Sequence, residues 1–258
     1  MANLFDLKGR IAVVTGASSG LGADAAVAYA EHGADVALLA RRVEKLGETA
    51  KKVEALGRRA LPVACDVTDE QSIASAIETV ISGFGKIDIL LNNAGVAVGG
   101  GVETIALEDW DRIVATNLTG VFLVSKYVIP HMREQRYGKV VNTASINAVI
   151  ADKEPTLWRH AYNATKAGVR GLTAGMAASY GVDNITVNSI GPGLFESEMT
   201  ANTLFKHEPF MQMYNSTNPF GRPGARGELN GTIIYLSSDA SSYVSGQHII
   251  IDGGFSIV

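Results

Sequence analysis

Cysteine is almost missing from this chain: Cys65 is the only one in 258 residues. A single thiol excludes a disulfide framework and a thiolate metal site. Nor is there a dominant charge of one sign. Lys and Arg number 22 against 26 Asp and Glu, a net charge of −4 with no basic stripe, so nucleic acid is not an expected partner. No apolar run reaches the ~18–20 residues that a membrane span needs. The opening MANLFDLKGR has neither the charged start nor the apolar stretch of a secretory leader. These absences lead to the expectation of a cytoplasmic protein without a membrane partner. Linkers, low-complexity tracts and short repeats are also missing, which predicts one domain over residues 1–258. His207-Glu208 lacks the H-E-x-x-H spacing and has no companion cluster, so no metal is expected.

What the chain does have is apolar surface in a regular rhythm. Hydrophobic residues make up 47% and charged residues 19%, which suits a sheet with a sizeable core. Short β-rich runs at 10–16, 35–40, 59–66, 88–95, 139–145, 185–193 and 248–254 alternate with helix-length segments. Strand runs that are apolar nearly throughout predict burial on both faces, hence a parallel sheet between two helical layers. The predicted fold is α/β: one doubly wound, Rossmann-like domain of about seven parallel strands.

Polar and glycine residues gather at the carboxyl ends of these runs: Thr15-Gly16, Arg41, Asp66, Asn92-Asn93, Ser145 and Gly191-Pro192-Gly193. In open α/β sheets that edge binds ligands. The first of these clusters continues as TGASSGLG, in which Gly16, Gly20 and Gly22 let a backbone turn tightly and approach a pyrophosphate at a helix N-terminus. Ser18, Ser19 and Leu21 complete that loop, which has no P-loop lysine. The second strand ends LLARR, with no acid to hold a ribose 2′-hydroxyl. Arg41 and Arg42 instead offer donors to a 2′-phosphate, which predicts NADP in preference to NAD. Asp66 and Val67 would sit beside the adenine if the third strand lies next to the second. Tyr162 and Lys166, four apart in a helical segment, project from one face.

TGASSGLG, NNAG (92–95), Asn117, Ser145, YNATK (162–166) and GPG (191–193), in that order, resemble the short-chain dehydrogenase/reductase family over essentially residues 5–258. The resemblance implies an oxidoreductase that interconverts a small-molecule ketone and a secondary alcohol. It implies Tyr162 as general acid/base and Ser145 as the donor to the substrate oxygen. Lys166 would favour the phenolate and hold the nicotinamide ribose, and Asn117 would support a water-linked proton relay. Asn93, Ala94 and Gly95 correspond to the family's cofactor-contacting turn. Pro192, Gly193 and Ser197 correspond to the turn near the nicotinamide, with serine where the family usually has threonine. A homotetramer is also implied.

Substrate choice is less determined. Two segments are candidate walls: 147–161, with Lys153, Arg159 and His160, and a covering segment at about 194–221 that Pro209 interrupts. Gly168 and Gly171 fit close helix packing. The text around 190–200 and 220–247 resembles gluconate 5-dehydrogenase-like members, implying a sugar acid. Hydroxysteroid dehydrogenases and 3-oxoacyl-carrier-protein reductases stay open as alternatives, as does a non-catalytic dinucleotide sensor.

Overall fold

Strand β1 (Ile11–Thr15) is buried at every position and joins two halves of a sheet. On one side lie β2 (Asp35–Ala40) and β3 (Ala60–Ala64); on the other lie β4 (Ile89–Asn92), β5 (Gly138–Thr143), β6 (Ile185–Pro192) and β7 (His248–Ile251). The order is β3-β2-β1-β4-β5-β6-β7, and every pairing is parallel. This computed structural model describes residues 3–201 and 204–258. The predicted strand runs become the seven strands with ends moved by at most three residues, and the single parallel sheet agrees with the expected fold.

The two-residue period of β1 divides the core. Ala12 and Val14 join a cluster with α1 (Gly20–Glu31), α2 (Val43–Ala55) and α9 (Asn230–Ser237). Val13 points the other way, into a cluster with α3 (Glu70–Phe84), α5 (Gly120–Glu134) and α6 (His160–Tyr180). Both faces are thus covered, which explains why the strands carry apolar residues on both faces. The small residues of α1, among them Ala25, Ala26 and Ala28, are almost completely buried and let that helix lie close to the sheet. At ~25 cal/mol per Å², burial of each large core side chain stabilises the fold by about 1.5–3 kcal/mol before entropy is counted.

Helix α4 (Leu107–Val114) runs through one π turn, Ala115–Thr119, into α5. The continuous helix Leu107–Glu134 is long and apolar enough to cross a membrane by composition. Its apolarity is accounted for by packing: Leu123, Val124, Val128, Ile129 and Met132 lie in the sheet core.

The covering segment 194–221 forms α7 (Glu198–Ala201), a 3₁₀ turn and α8 (Glu208–Thr217); its Asn202 and Thr203 lie outside the described residues. Pro209 does not interrupt a helix there. It occupies the first turn of α8, where proline's fixed φ is favourable and its missing N–H costs nothing. Tyr214 is buried and stacks on Phe255 at 4.6 Å, while Met213 is exposed. Gly168 packs tightly: a Cβ there would lie 3.0 Å from Leu118. Gly171 faces open space, so the close packing expected of it is not found.

Candidate active site

The strand order reverses between β1 and β4, and a cleft of about 540 Å³ opens outside their carboxyl ends. Every catalytic or cofactor candidate from the sequence lines it except Gly22 and Asn117, whereas Lys153, Arg159 and His160 of the candidate substrate wall do not. Gly16 (φ 68°) needs glycine for its left-handed backbone. Gly22 works from beneath: a Cβ there would stand 2.4 Å from the Gly16 carbonyl oxygen and 2.5 Å from Asn93 Nδ2. Helix α1 can therefore begin directly under the loop. Thr15 fastens the loop to β4, its Oγ1 accepting from the backbone N–H groups of Asn93 (2.9 Å) and Ala94 (3.1 Å).

At one end of the cleft β5 and α6 converge. Ser145 follows β5, is 6% exposed, and its Oγ accepts from the Asn147 N–H at 3.1 Å. It thus caps a strand-end turn while lining the cleft. Asn163 Nδ2 donates to the carbonyls of Asn147 (3.0 Å) and Ile150 (2.9 Å), tying α6 to that turn. One helical turn separates Tyr162 from Lys166, whose Nζ lies 5.5 Å from the phenol ring centroid. Lys166 is buried and donates to the Thr143 carbonyl at 2.7 Å. Burial brings its ammonium down to about 8. Burial also pushes the Tyr162 phenol up, opposed by the Ser145 hydroxyl and the charge of Arg159. The sequence reading expected Lys166 and the positive nicotinamide together to bring the phenol down. In the structure burial dominates, because the Lys166 N–H is directed to Thr143 and its own charge is disfavoured by the same dry surroundings.

Asn117 sits in the π turn, fully buried. Its amide is fully engaged: Oδ1 accepts from Val96 N and Nδ2 donates to Val96 O, both at 2.8 Å, and Nδ2 also donates to Thr165 Oγ1 of α6 at 3.4 Å. The side chain therefore braces the β4 loop rather than facing the cleft. A Cβ on Gly95 would lie 3.3 Å from Asn117 Oδ1 and 3.7 Å from Lys166 Nζ, so glycine lets these groups approach.

The opposite end is built from exposed charges. Arg42 Nη2 donates to Ser18 Oγ and Ser19 Oγ, both at 3.1 Å, and to Glu198 Oε2 at 2.7 Å. Lys45 donates to the other Glu198 oxygen, and Ser19 Oγ to Oε2 at 3.0 Å. The bonds from Arg42 and Lys45 bring the Glu198 carboxyl down to about 2. Arg41 points elsewhere, its Nη1 4.0 Å from Asp66. Burial pushes the Asp66 carboxyl up, but bonds from Thr68 and the charge of Arg41 outweigh it, leaving it low. Ser197 Oγ meets Thr200 Oγ1 at 3.1 Å, and its Cβ would be 3.3 Å from a Cβ on Gly20. Sequence reasoning missed Lys45 and Glu198. No local pattern joins them to a loop residue: Glu198 is 156 positions from Arg42.

This donor set fits a phosphorylated dinucleotide. The loop glycines leave room for close backbone approach, and the Arg–Lys–Ser cluster already holds a carboxylate.

Of the candidate substrate wall, Lys153 is exposed, and the His160 ring is committed, its Nδ1 accepting from Val102 N at 3.1 Å. Gly100 pairs with Arg159 in an isolated bridge, its N–H donating to the Trp158 carbonyl at 2.7 Å. Arg159 is half-buried and its guanidinium forms no hydrogen bond or ion pair among the described residues; its charge acts on Asp152 and Tyr162 through space. Phe210, Met213 and Tyr214 do not line the cleft.

Known proteins match this arrangement along the whole chain. The sequence model of a family described as enoyl-(acyl carrier protein) reductase matches residues 16–256. Gluconate 5-dehydrogenase of Gluconobacter oxydans is 38% identical over 255 residues, covering 99% of this chain and 98% of its own length. A short-chain type dehydrogenase/reductase from Mycobacterium marinum superposes with a TM-score of 0.94 at 36% identity, covering 99% and 98% of the two chains. A gluconate 5-dehydrogenase from Burkholderia cenocepacia, solved with NADP and tartrate, superposes with a TM-score of 0.93 at 35% identity, covering 99% and 98%.

Proposed function

The chain belongs to the short-chain dehydrogenase/reductase family of oxidoreductases acting on alcohol and ketone groups, and from that premise we propose that it is an NADP(H)-dependent enzyme interconverting a sugar acid and its keto form, of the gluconate/5-ketogluconate type. The observation that carries the chemistry is the convergence of Ser145, Tyr162 and Lys166 at one end of the cleft. The dinucleotide, when bound, supplies or accepts the hydride at the carbonyl carbon.

In reduction, the Tyr162 phenol, kept protonated by burial, donates its proton to the oxygen that gains the electron pair of the C=O bond. Ser145 Oγ donates to the same oxygen and stabilises its developing charge. In oxidation the phenol must first lose its proton. The Ser145 hydroxyl and the Arg159 charge both favour the phenolate. Lys166, held by the Thr143 carbonyl, is positioned for the nicotinamide ribose, and Asn117 keeps Val96 and the turn around Gly95 in place beneath it.

Three features support the finer reading. Arg159 is a half-buried cation near the reacting phenol with no ion pair among the described residues, suited to a substrate carboxylate. Phe210, Met213 and Tyr214 of α8 are not among the residues that line the cleft, so they do not offer a steroid or acyl chain a wall there. Arg42 with Ser18, Ser19 and Lys45 is suited to a 2′-phosphate; one charge-assisted contact is worth ~1.5–3 kcal/mol, roughly ten- to a hundredfold in cofactor preference. We also place the enzyme in the cytoplasm as a homotetramer. Exposed apolar side chains on the long helix (Leu107, Trp110, Phe122) and near the C-terminus (Tyr243, Ile257, Val258) offer the two surfaces such an assembly needs.

The test is NADPH consumption with 5-ketogluconate, a ketosteroid and a 3-oxoacyl thioester in parallel. Turnover of 5-ketogluconate alone is expected. Turnover of either of the others instead would replace the substrate class, and silence on all three, with NADPH bound, would favour a dinucleotide sensor.

A further inference from the structure

The seat prepared for a cofactor phosphate is taken by a carboxylate of the chain itself. Glu198 opens α7 in the covering segment, and its carboxylate reaches Ser19 of the glycine loop and the cations at the start of α2. Oε2 accepts from Arg42 Nη2 (2.7 Å) and Ser19 Oγ (3.0 Å), and Oε1 accepts from Lys45 Nζ. The seat thus comprises two cations and a loop hydroxyl, with Ser18 Oγ also bonded to Arg42. A carboxylate and a phosphate monoester present the same kind of acceptor oxygens to such donors. The segment is brought down with the carboxylate: Ser197 meets Gly20 across the loop. Glu198 and Arg42 are both about half exposed, so each pair by itself is weak and its partners can be exchanged.

We propose that Glu198 is a determinant of cofactor choice: its carboxylate competes with the 2′-phosphate of NADP(H) for Arg42, Lys45 and Ser19, and so narrows the preference over NAD(H) that these donors create. The 2′-phosphate must displace Glu198, or share the site with a like charge. A 2′-hydroxyl leaves the carboxylate on its cations and can donate to it. The penalty therefore falls on the phosphorylated cofactor alone. The wild-type chain discriminates between the two dinucleotides less than Arg42 would dictate, and it retains usable affinity for NAD(H). This inference rests on the dinucleotide reading of the cleft and adds a residue from outside the loop and the β2 end.

Direct binding separates the two claims without turnover. Titration calorimetry or nicotinamide fluorescence of the full chain with NADPH and NADH gives four dissociation constants for wild type and Glu198→Gln. NADPH binding is expected to tighten about fivefold or more in Glu198→Gln, with NADH changing less than twofold. The gain should shrink at high salt, because the groups are exposed. In an Arg42→Ala background Glu198→Gln should have a smaller effect on NADPH, since one of the two contested cations is gone. Equal tightening for both cofactors would overturn the proposal in favour of a lid without selectivity. Weakened NADPH binding would show Glu198 to be a support for the seat rather than a competitor. A full effect persisting without Arg42 would also contradict it. Failure of the wild-type chain to bind either dinucleotide would instead overturn the reading of the cleft, and the inference with it.

Discussion

The two ends of the cleft are built on opposite principles. Around Tyr162 the working groups stand on a buried strand end and the first turns of a long helix: Ser145 is 6% exposed and Lys166 4%. Around Arg42 the working groups are long, solvated side chains, with Arg41 71% exposed. Burial at the first end shifts proton affinities, bringing Lys166 down to about 8 and pushing Tyr162 up. Exposure at the second end leaves charges that can change partners and are screened by salt. Chemistry is thus placed where the protein is stiff and dry, and cofactor choice where it is wet and adjustable. A substitution at the first end should be costly in rate, and one at the second cheap and selective.

The sharpest way to break this contrast is Tyr162→Phe. Turnover should fall by about a thousandfold or more, with NADPH affinity changed less than threefold, since only the proton donor is removed. A variant that loses rate and binding together would mean that the two ends are not separate. Next in size is Arg159→Leu. The KM for an anionic substrate should rise roughly tenfold to a hundredfold, with little change for a neutral ketone. Arg42→Ala should weaken NADPH about tenfold and NADH hardly at all; calorimetry at low salt reads both.

A smaller effect appears in stability. Lys166 has a folded pKa of about 8 against an ordinary 10.5, so between those values the unfolded chain binds more protons and stability rises with pH. Below pH 8 the ammonium is charged and buried at a cost. Lys166→Met should therefore stabilise the chain at pH 7 by roughly 1–3 kcal/mol in chemical denaturation while turnover collapses. Loss of stability would mean that its bond to Thr143 outweighs the burial of its charge.

Much of the sheet was legible because β1, β2, β4, β5 and β6 are covered on both faces and carry apolar residues on both, a pattern visible without tertiary information. The glycine loop was legible because the left-handed turn at Gly16 and the approach of Gly22 to the Gly16 carbonyl are constraints within one short stretch of chain. The π turn at 115–119 was not legible, since hydrophobic periodicity does not register one extra residue in a helix turn. Asn117 was found by family pattern, but its bonds to Val96 come from the packing of the β4 loop on that turn. Pro209 was read as an interruption because its effect depends on whether a helix begins or continues there. Glu198 carried no signal, because a carboxylate in a polar segment looks like any solvated residue until the fold brings it to Arg42.

Ionic strength addresses the division between the two ends most directly. The Kd for NADPH and the kcat with the ketone that is turned over, at saturating cofactor, are to be measured from low to high salt. The account predicts that Kd rises several-fold across that range while kcat changes by less than twofold. A kcat that moves as far as Kd, or a Kd that does not move, would contradict it.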